Sequence, residues 1–260
     1  MIRRRLYAEI RVSKLAVWSW RLAAFALPVF LIAIVMHRSG AVEYRTASVI
    51  LLASLAIAML AVLLAGAAIV VIWNDGLKGL GAAILGGIIG VAILSAPLFH
   101  VARGIHLPAI SDISTDPADP PRFQAIAAAR PRNANPVSYP VAENAPLQRM
   151  HYPAVRSMEF DAEAEEIFNL IVSIVQRNGW RVLERNAPRG TGGDDYVEAV
   201  AYSLILGLPE DISIRMRRMK NTIRVDMRSA SRYGQRDFGS NARRIQSFFA
   251  QLSDARRRAP

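Results

Sequence analysis

Three apolar runs, residues 22–36, 47–73 and 80–101, constrain this chain more than anything else in it. A helix rises about 1.5 Å per residue, so roughly 20 residues cross the ~30 Å hydrocarbon core of a bilayer. The second and third runs reach that length unaided. The first does so only if residues 15–21 continue its helix into the headgroup layer. Pro28 lies inside it and predicts a kink that a neighbouring helix can accommodate. A cleaved leader ending at Ser39-Gly40-Ala41 is disfavoured by the long basic region and by His37-Arg38 just before the small residues. The chain therefore reads as an integral membrane protein.

Charge gives the orientation. Arg3, Arg4, Arg5, Arg11, Lys14 and Arg21 precede the first run, and Lys78 lies in the 74–79 turn between runs two and three. An N-terminus inside places these seven basic residues on the cytoplasmic side and only Arg38, Arg45 and Arg103 opposite, as the positive-inside bias requires. Trp18 and Trp20 sit where interfacial aromatics belong. Three crossings then put everything after Val101 outside the cytoplasm, so the C-terminal domain is expected to be exported.

This arrangement also explains the net charge of +11, which otherwise suggests nucleic acid. Residues 1–105 hold ten Lys/Arg against three Asp/Glu, and residues 106–260 hold twenty-two against eighteen. Most of the excess is topology charge, and no nucleic-acid partner is expected. The absence of cysteine excludes disulfides, thiolate metal sites and a cysteine nucleophile.

Small residues mark the helix contacts. Ala82, Gly86 and Gly90 recur every fourth residue, and Ala58, Ala61, Ala65 and Ala68 form a stripe on the second run. This spacing predicts packing of runs two and three within the chain. The sharper alternative is a homodimer through the Gly86/Gly90 stripe. No ionisable residue lies deep in a run, which argues against a proton or ion pathway.

Nine of the fourteen prolines fall between Pro108 and Pro153. That density predicts an extended strap lying across the following domain, with a helical turn or two at 123–129 at most. Asp112, Asp116 and Asp119 match no calcium-loop spacing and read as turn residues, so no metal or other cofactor is expected. The domain plan is a basic cytoplasmic tail at 1–21, the apolar region at 22–101, the strap at 102–152 and a folded domain at 153–260.

In that last part, strands are predicted at 155–160, 180–186, 196–206, 211–218 and 222–229. Helices are predicted after an Asp161 cap, ending at Asn178-Gly179, and at 240–255. The fold class is three transmembrane helices followed by an α+β two-layer domain. Its sheet is mainly antiparallel, in the order β-α-β-β-β-β-α.

One polar feature stands out. Residues 215–244 hold Arg215, Arg217, Arg218, Lys220, Arg224, Arg228, Arg232, Arg236, Arg243 and Arg244 against Asp226 and Asp237. Strand alternation sets Arg215, Arg217, Arg224 and Arg228 on the face away from Ile212 and Ile214. Arg215, Arg217, Arg224, Arg228 and Arg232 are thus the candidate binding residues, for lipid headgroups or an acidic envelope partner. The alternative is a solvated face on which Asp226 bridges arginines across strands. Ser229, Ser231 and Asp237 resemble a nucleophile site only superficially, because no histidine or lysine base follows. No catalytic residue is assigned. Gly190-Thr-Gly192-Gly193 lacks the spacing of a phosphate loop. A binding or interaction module leads, and an envelope-component hydrolase is the alternative.

Three stretches resemble a family of bacterial membrane-anchored proteins known as domain of unknown function 1499. They are Ile110-Ser-Asp-Ile-Ser-Thr-Asp-Pro-Ala-Asp-Pro-Pro-Arg-Phe123, Glu198-Ala-Val-Ala-Tyr-Ser203 and Arg224-Val-Asp-Met-Arg-Ser-Ala-Ser-Arg-Tyr-Gly-Gln-Arg-Asp-Phe-Gly-Ser-Asn-Ala-Arg-Arg-Ile245. The resemblance, over about 108–252, brings no activity or site residue. It implies that strap and domain form one unit.

Overall fold

The computed structural model describes residues 11–188 and 194–258 and divides the chain into two compact units, Met1–Ala102 and Arg103–Pro260. Arg3, Arg4, Arg5 and the Gly190–Gly193 loop lie outside the described residues.

The first unit consists of three helices, α1 (Lys14–Arg38), α2 (Tyr44–Asp75) and α3 (Leu80–Gly104, which runs two residues into the second unit). All three are long and apolar enough to cross a membrane. Helix α1 begins well before the apolar run, with Ser13 accepting from the Ala16 N–H at 3.4 Å, and so gains the length that the apolar residues alone lacked. Small residues set the packing. A side chain at Gly90 would collide with Val62 and the Ala58 carbonyl on α2, whereas one at Gly86 would collide with Ser19 on α1. The Gly86/Gly90 stripe thus packs against two helices of its own chain, and a homodimer through it would have to displace them. The Ser19 hydroxyl, fully buried, donates to the Ala61 carbonyl at 2.9 Å, a polar tie between α1 and α2. Before α1, the Ser13 N–H donates to the Lys78 carbonyl and the Lys78 N–H to the Arg11 carbonyl, so Arg11, Lys14 and Lys78 share one end.

The second unit is an α+β domain around a six-stranded antiparallel sheet. Its elements are β1 (Asp112–Ser114), α4 (Ala125–Ala129), α5 (Val141–His151), β2 (Met158–Phe160), α6 (Ala164–Arg177), β3 (Arg181–Asn186), β4 (Asp195–Tyr202), β5 (Pro209–Arg218), β6 (Ile223–Ser231) and α7 (Ser240–Arg258). Strand order is β1-β6-β5-β4-β3, and β2 joins β6 beyond β1. From β2 onward the elements follow the expected β-α-β-β-β-β-α order.

The alternating strands face their apolar side toward α6 and α7. Ile212 and Ile214 on β5 and Val225 and Met227 on β6 meet Ile167, Ile171 and Ile174 on α6 and Phe248 and Leu252 on α7, all buried. Trp180 stacks on Phe248 at 6.2 Å between ring centres. Helix α6 starts two residues later than an Asp161 cap would place it. Glu163 occupies the cap position without a side-chain hydrogen bond, and the Asp161 carbonyl accepts from Arg256 instead.

The strap is more ordered than its prolines predict. It supplies β1 and the eleven-residue helix α5 as well as the short helix near 123–129. Pro146 sits within α5, whose polar side chains bind the strap rather than an apolar face. The Gln148 amide pairs with both the N–H and the carbonyl of Ser114, and Asn144 donates to the Asp112 carbonyl at 3.1 Å. These amides seal the outer edge of β1 as a further strand would. Ile113 inserts into the helix-side core, while Phe123 and Ile126 cover Ala230 on the opposite face. The sheet is therefore covered on both faces.

Residues 106–260 are expected to unfold in one cooperative transition. Residues 154–260 alone, lacking β1 and the cover of the second face, should show none; differential scanning calorimetry distinguishes the two.

Candidate functional site

The second face of the sheet carries the arginines singled out above. Alternation does set Arg215, Arg217, Arg224 and Arg228 opposite Ile212 and Ile214, and register places Arg215 across from Asp226, Arg217 from Arg224, and Ser213 from Arg228. Solvent exposure is where expectation and structure part. Arg215 and Arg232 are each 7% exposed and Arg228 is 3% exposed, because the strap lies over them. Only Arg217 and Arg224 keep about a quarter of their side-chain surface.

Asp226, fully buried, is the hub. It accepts from the Ser157 hydroxyl at 2.5 Å, from Arg217 at 2.8 Å, from Arg215 at 3.1 Å and from the Arg224 Nε at 3.2 Å. Burial alone would raise its pKa. The Ser157 hydroxyl and the guanidinium groups of Arg215 and Arg224 outweigh that, holding Asp226 below the usual carboxylate value. Two strap aspartates complete the balance. Asp116 takes Arg224 at 2.8 Å and Arg217 at 3.2 Å, and Asp119 takes Arg217 at 2.8 Å and Arg215 at 3.1 Å. Three carboxylates thus face three guanidiniums, and Asp194 adds a fourth, 3.8 Å from the Arg215 Nε.

A second pair lies deeper. Arg228 holds Asp112 by two nitrogens, at 2.6 and 3.0 Å, and stacks over Phe123 with its guanidinium 4.2 Å from the ring centre. Burial pushes the Asp112 carboxyl up despite Arg228 and Arg130 beside it. A third cluster joins Arg232 to Asp211 at 2.8 Å and Arg130, from the strap, to the same carboxylate at 2.7 Å. Glu198 on β4 is also buried. It accepts the backbone N–H groups of Gln124 and Ile126 at 2.6 and 2.8 Å, at the start of α4, and burial raises its pKa.

Ser229, Ser231 and Asp237 are committed to structure. The Ser229 hydroxyl lies between Asn241 and Arg244, Ser231 accepts from Asn241, and Asp237 caps α7 through the N–H groups of Gly239 and Asn241. Arg244 also pairs with Glu210. Among the described residues no cluster of three or more His, Asp or Glu is placed to hold a metal ion.

Sequence reading missed Asp112, Asp116, Asp119, Arg130, Glu198 and Asp211 as members of this network. A signal was present: the acidic strap and the arginine-rich segment are complementary in charge. Their contact spans about a hundred residues of chain and leaves no local periodicity.

The architecture is that of a protein with three membrane-length helices and an α+β domain whose polar face is braced by its own strap. A family model described as "Protein of unknown function (DUF1499)" matches residues 112–252, from the first residue of β1 to the core side of α7, and the chain belongs to that family. No curated protein matches the chain.

Removing one partner of a buried ion pair typically costs about 3–5 kcal/mol. Asp226→Ala should therefore destabilise the domain by roughly that amount in urea denaturation. Arg218→Gln, at an exposed pair, should cost under about 1 kcal/mol.

Glu198 gives a pH test. Its folded pKa lies above the ordinary glutamate value of 4.5, so the folded state takes up this proton first as pH falls. Wild-type stability relative to Glu198→Gln should thus rise from neutral pH down to about pH 4.5 and then level off. An advantage that instead shrinks on acidification would mean the carboxylate is stabilised by the strap N–H groups more than burial disfavours it.

Proposed function

We propose that this is a multi-pass inner-membrane protein of the bacterial envelope, with its N-terminus in the cytoplasm and the domain after α3 exported as a binding module. The orientation is supported by Arg11, Lys14 and Lys78 sharing one end of the helical unit. Trp18, Trp20 and Trp73 on the adjoining turns of α1 and α2 are all exposed.

One observation carries the choice of a binding module over a hydrolase. The groups able to do acid, base or nucleophilic work on the motif-bearing face are engaged in ion pairs and caps that hold the strap and α7. Binding needs a surface, and the domain offers a shallow groove of about 680 Å³ where β2 meets α7. Met158, Ile245, Phe249 and Ala250 give it an apolar side, and Ser157, Gln246 and Ser253 with Arg156 and Glu159, one charge of each sign, a polar one. Among the described residues β2 pairs with β6 alone, whereas the edge of β1 is sealed by α5. A strand edge beside a groove of mixed polarity suits an extended segment of a partner protein. An anion-binding role falls to Arg217 and Arg224, in competition with Asp116 and Asp119.

A C-terminal alkaline phosphatase fusion should be active, and a green fluorescent protein fusion exported by the general secretory route should be dark. The reverse pattern would sink the exported reading. For the groove, Ala250→Trp should fill it, leave the melting temperature unchanged and fail to complement a deletion strain. Full complementation by this variant would remove the groove from the function.

A further inference from the structure

The turn between β4 and β5 differs from the rest of the domain surface. Residues 203–209, Ser-Leu-Ile-Leu-Gly-Leu-Pro, contain no charge. Ser203 closes the turn. Its N–H donates to the Leu208 carbonyl, its hydroxyl accepts from the Leu208 N–H at 2.9 Å, and its carbonyl accepts from Gly207, which has the positive φ (66°) that suits glycine. The closure leaves the apex outward: Leu204 is 91% exposed, Tyr202 51% and Ile205 37%. A rigid loop that holds adjacent large apolar side chains in water marks a contact surface.

Where this turn sits identifies the contact. The Arg232 N–H donates to the Pro209 carbonyl, so the turn lies at the C-terminal end of β6. At that same end the chain enters the domain from α3. Gly104 packs against Phe238, Leu107 against Gly239, and Arg236 donates to the Leu107 carbonyl. The Asp237 N–H reaches the Ile110 carbonyl, and the Ser231 N–H the Ser111 carbonyl. With strands about 4.8 Å apart, the apolar turn stands one to two strand spacings, roughly 5–10 Å, to the side of the end of β6 at which residues 104–111 enter the domain. Arg181, opposite Val200 near the end of β4, and Arg236 are exposed cations at this end, suited to lipid phosphates.

We propose that Tyr202–Leu206 is a membrane-insertion tip that dips into the headgroup–acyl boundary of the bilayer that anchors the chain. The proposal rests on the membrane-anchor reading above. It assigns lipid contact to an apolar turn instead of the strap-covered arginines. Tyr202 brings the amphipathic ring typical of that depth, and Leu204 and Ile205 the apolar wedge.

The chain has no cysteine, so single labelling sites can be introduced into the full-length protein without background. Leu204→Cys, Met219→Cys and Leu63→Cys are all at exposed positions. Met219 follows β5, whose ten residues place it about 33 Å from the tip, and Leu63 lies midway along α2. Each variant carries an environment-sensitive fluorophore and is reconstituted in phosphatidylethanolamine–phosphatidylglycerol vesicles with nitroxide lipids spin-labelled near the headgroup or deep in the acyl chain.

The expected result is several-fold stronger quenching of Leu204→Cys by the shallow label than of Met219→Cys, with Leu63→Cys quenched by the deep label. Quenching at Leu63 with Leu204 no better quenched than Met219 overturns the tip and leaves the anchor standing. A blue shift at Leu204 without lipid quenching also overturns it, because a protein surface then covers the turn. No quenching at Leu63 refutes the anchor reading and the tip with it.

Discussion

A carboxylate in the middle of a sheet face is costly unless charge and hydrogen bonds satisfy it, and Asp226 is satisfied by three arginines and a serine. Those arginines on their own would be a liability. Arg217 and Arg224 face each other directly across β5 and β6, where like charges repel. The strap resolves the conflict by bringing Asp116 between them and setting Asp119 on Arg217 as well. Strap and sheet thus depend on each other: the sheet needs the strap's negative charge, and the strap seats its acidic residues, as well as Ile113, Phe123 and Ile126, only against the sheet. Asp112 with Arg228, Asp211 with Arg130, and Glu198 with the α4 backbone extend the same arrangement across β6, β5 and β4.

This mutual dependence bears on function. A face whose charges already have partners has little capacity left for a strong external anion. Stability and specificity of the strap's seat are what the network supplies. The proposed recognition surfaces are therefore others, the groove between β2 and α7 and the apolar β4–β5 turn. The two lie in different parts of the domain, so a partner at one need not exclude a lipid surface at the other.

The helical unit is held together by a different physics. With apolar residues on every side, burial offers no preference for one helix neighbour over another in lipid, and close backbone approach decides. Gly86 and Gly90 provide it toward two different helices, and the Ser19–Ala61 hydrogen bond fixes α1 against α2.

Much of this was legible in the chain itself, because it depends on local pattern. Apolar length determined the three membrane helices, and alternation in 211–218 and 222–229 determined which side chains of β5 and β6 face the helices α6 and α7. Asn178-Gly179 set the end of α6. Three things only tertiary structure decided. The proline-rich segment contributes β1 and α5, because pairing to β6 and side-chain amides outweigh its weak local propensity. Gly86 meets α1 rather than α2, which spacing along a single helix cannot tell. The arginine face is buried, because its counter-ions lie about a hundred residues away in the chain, and alternation says which way a side chain points but not what comes to lie over it.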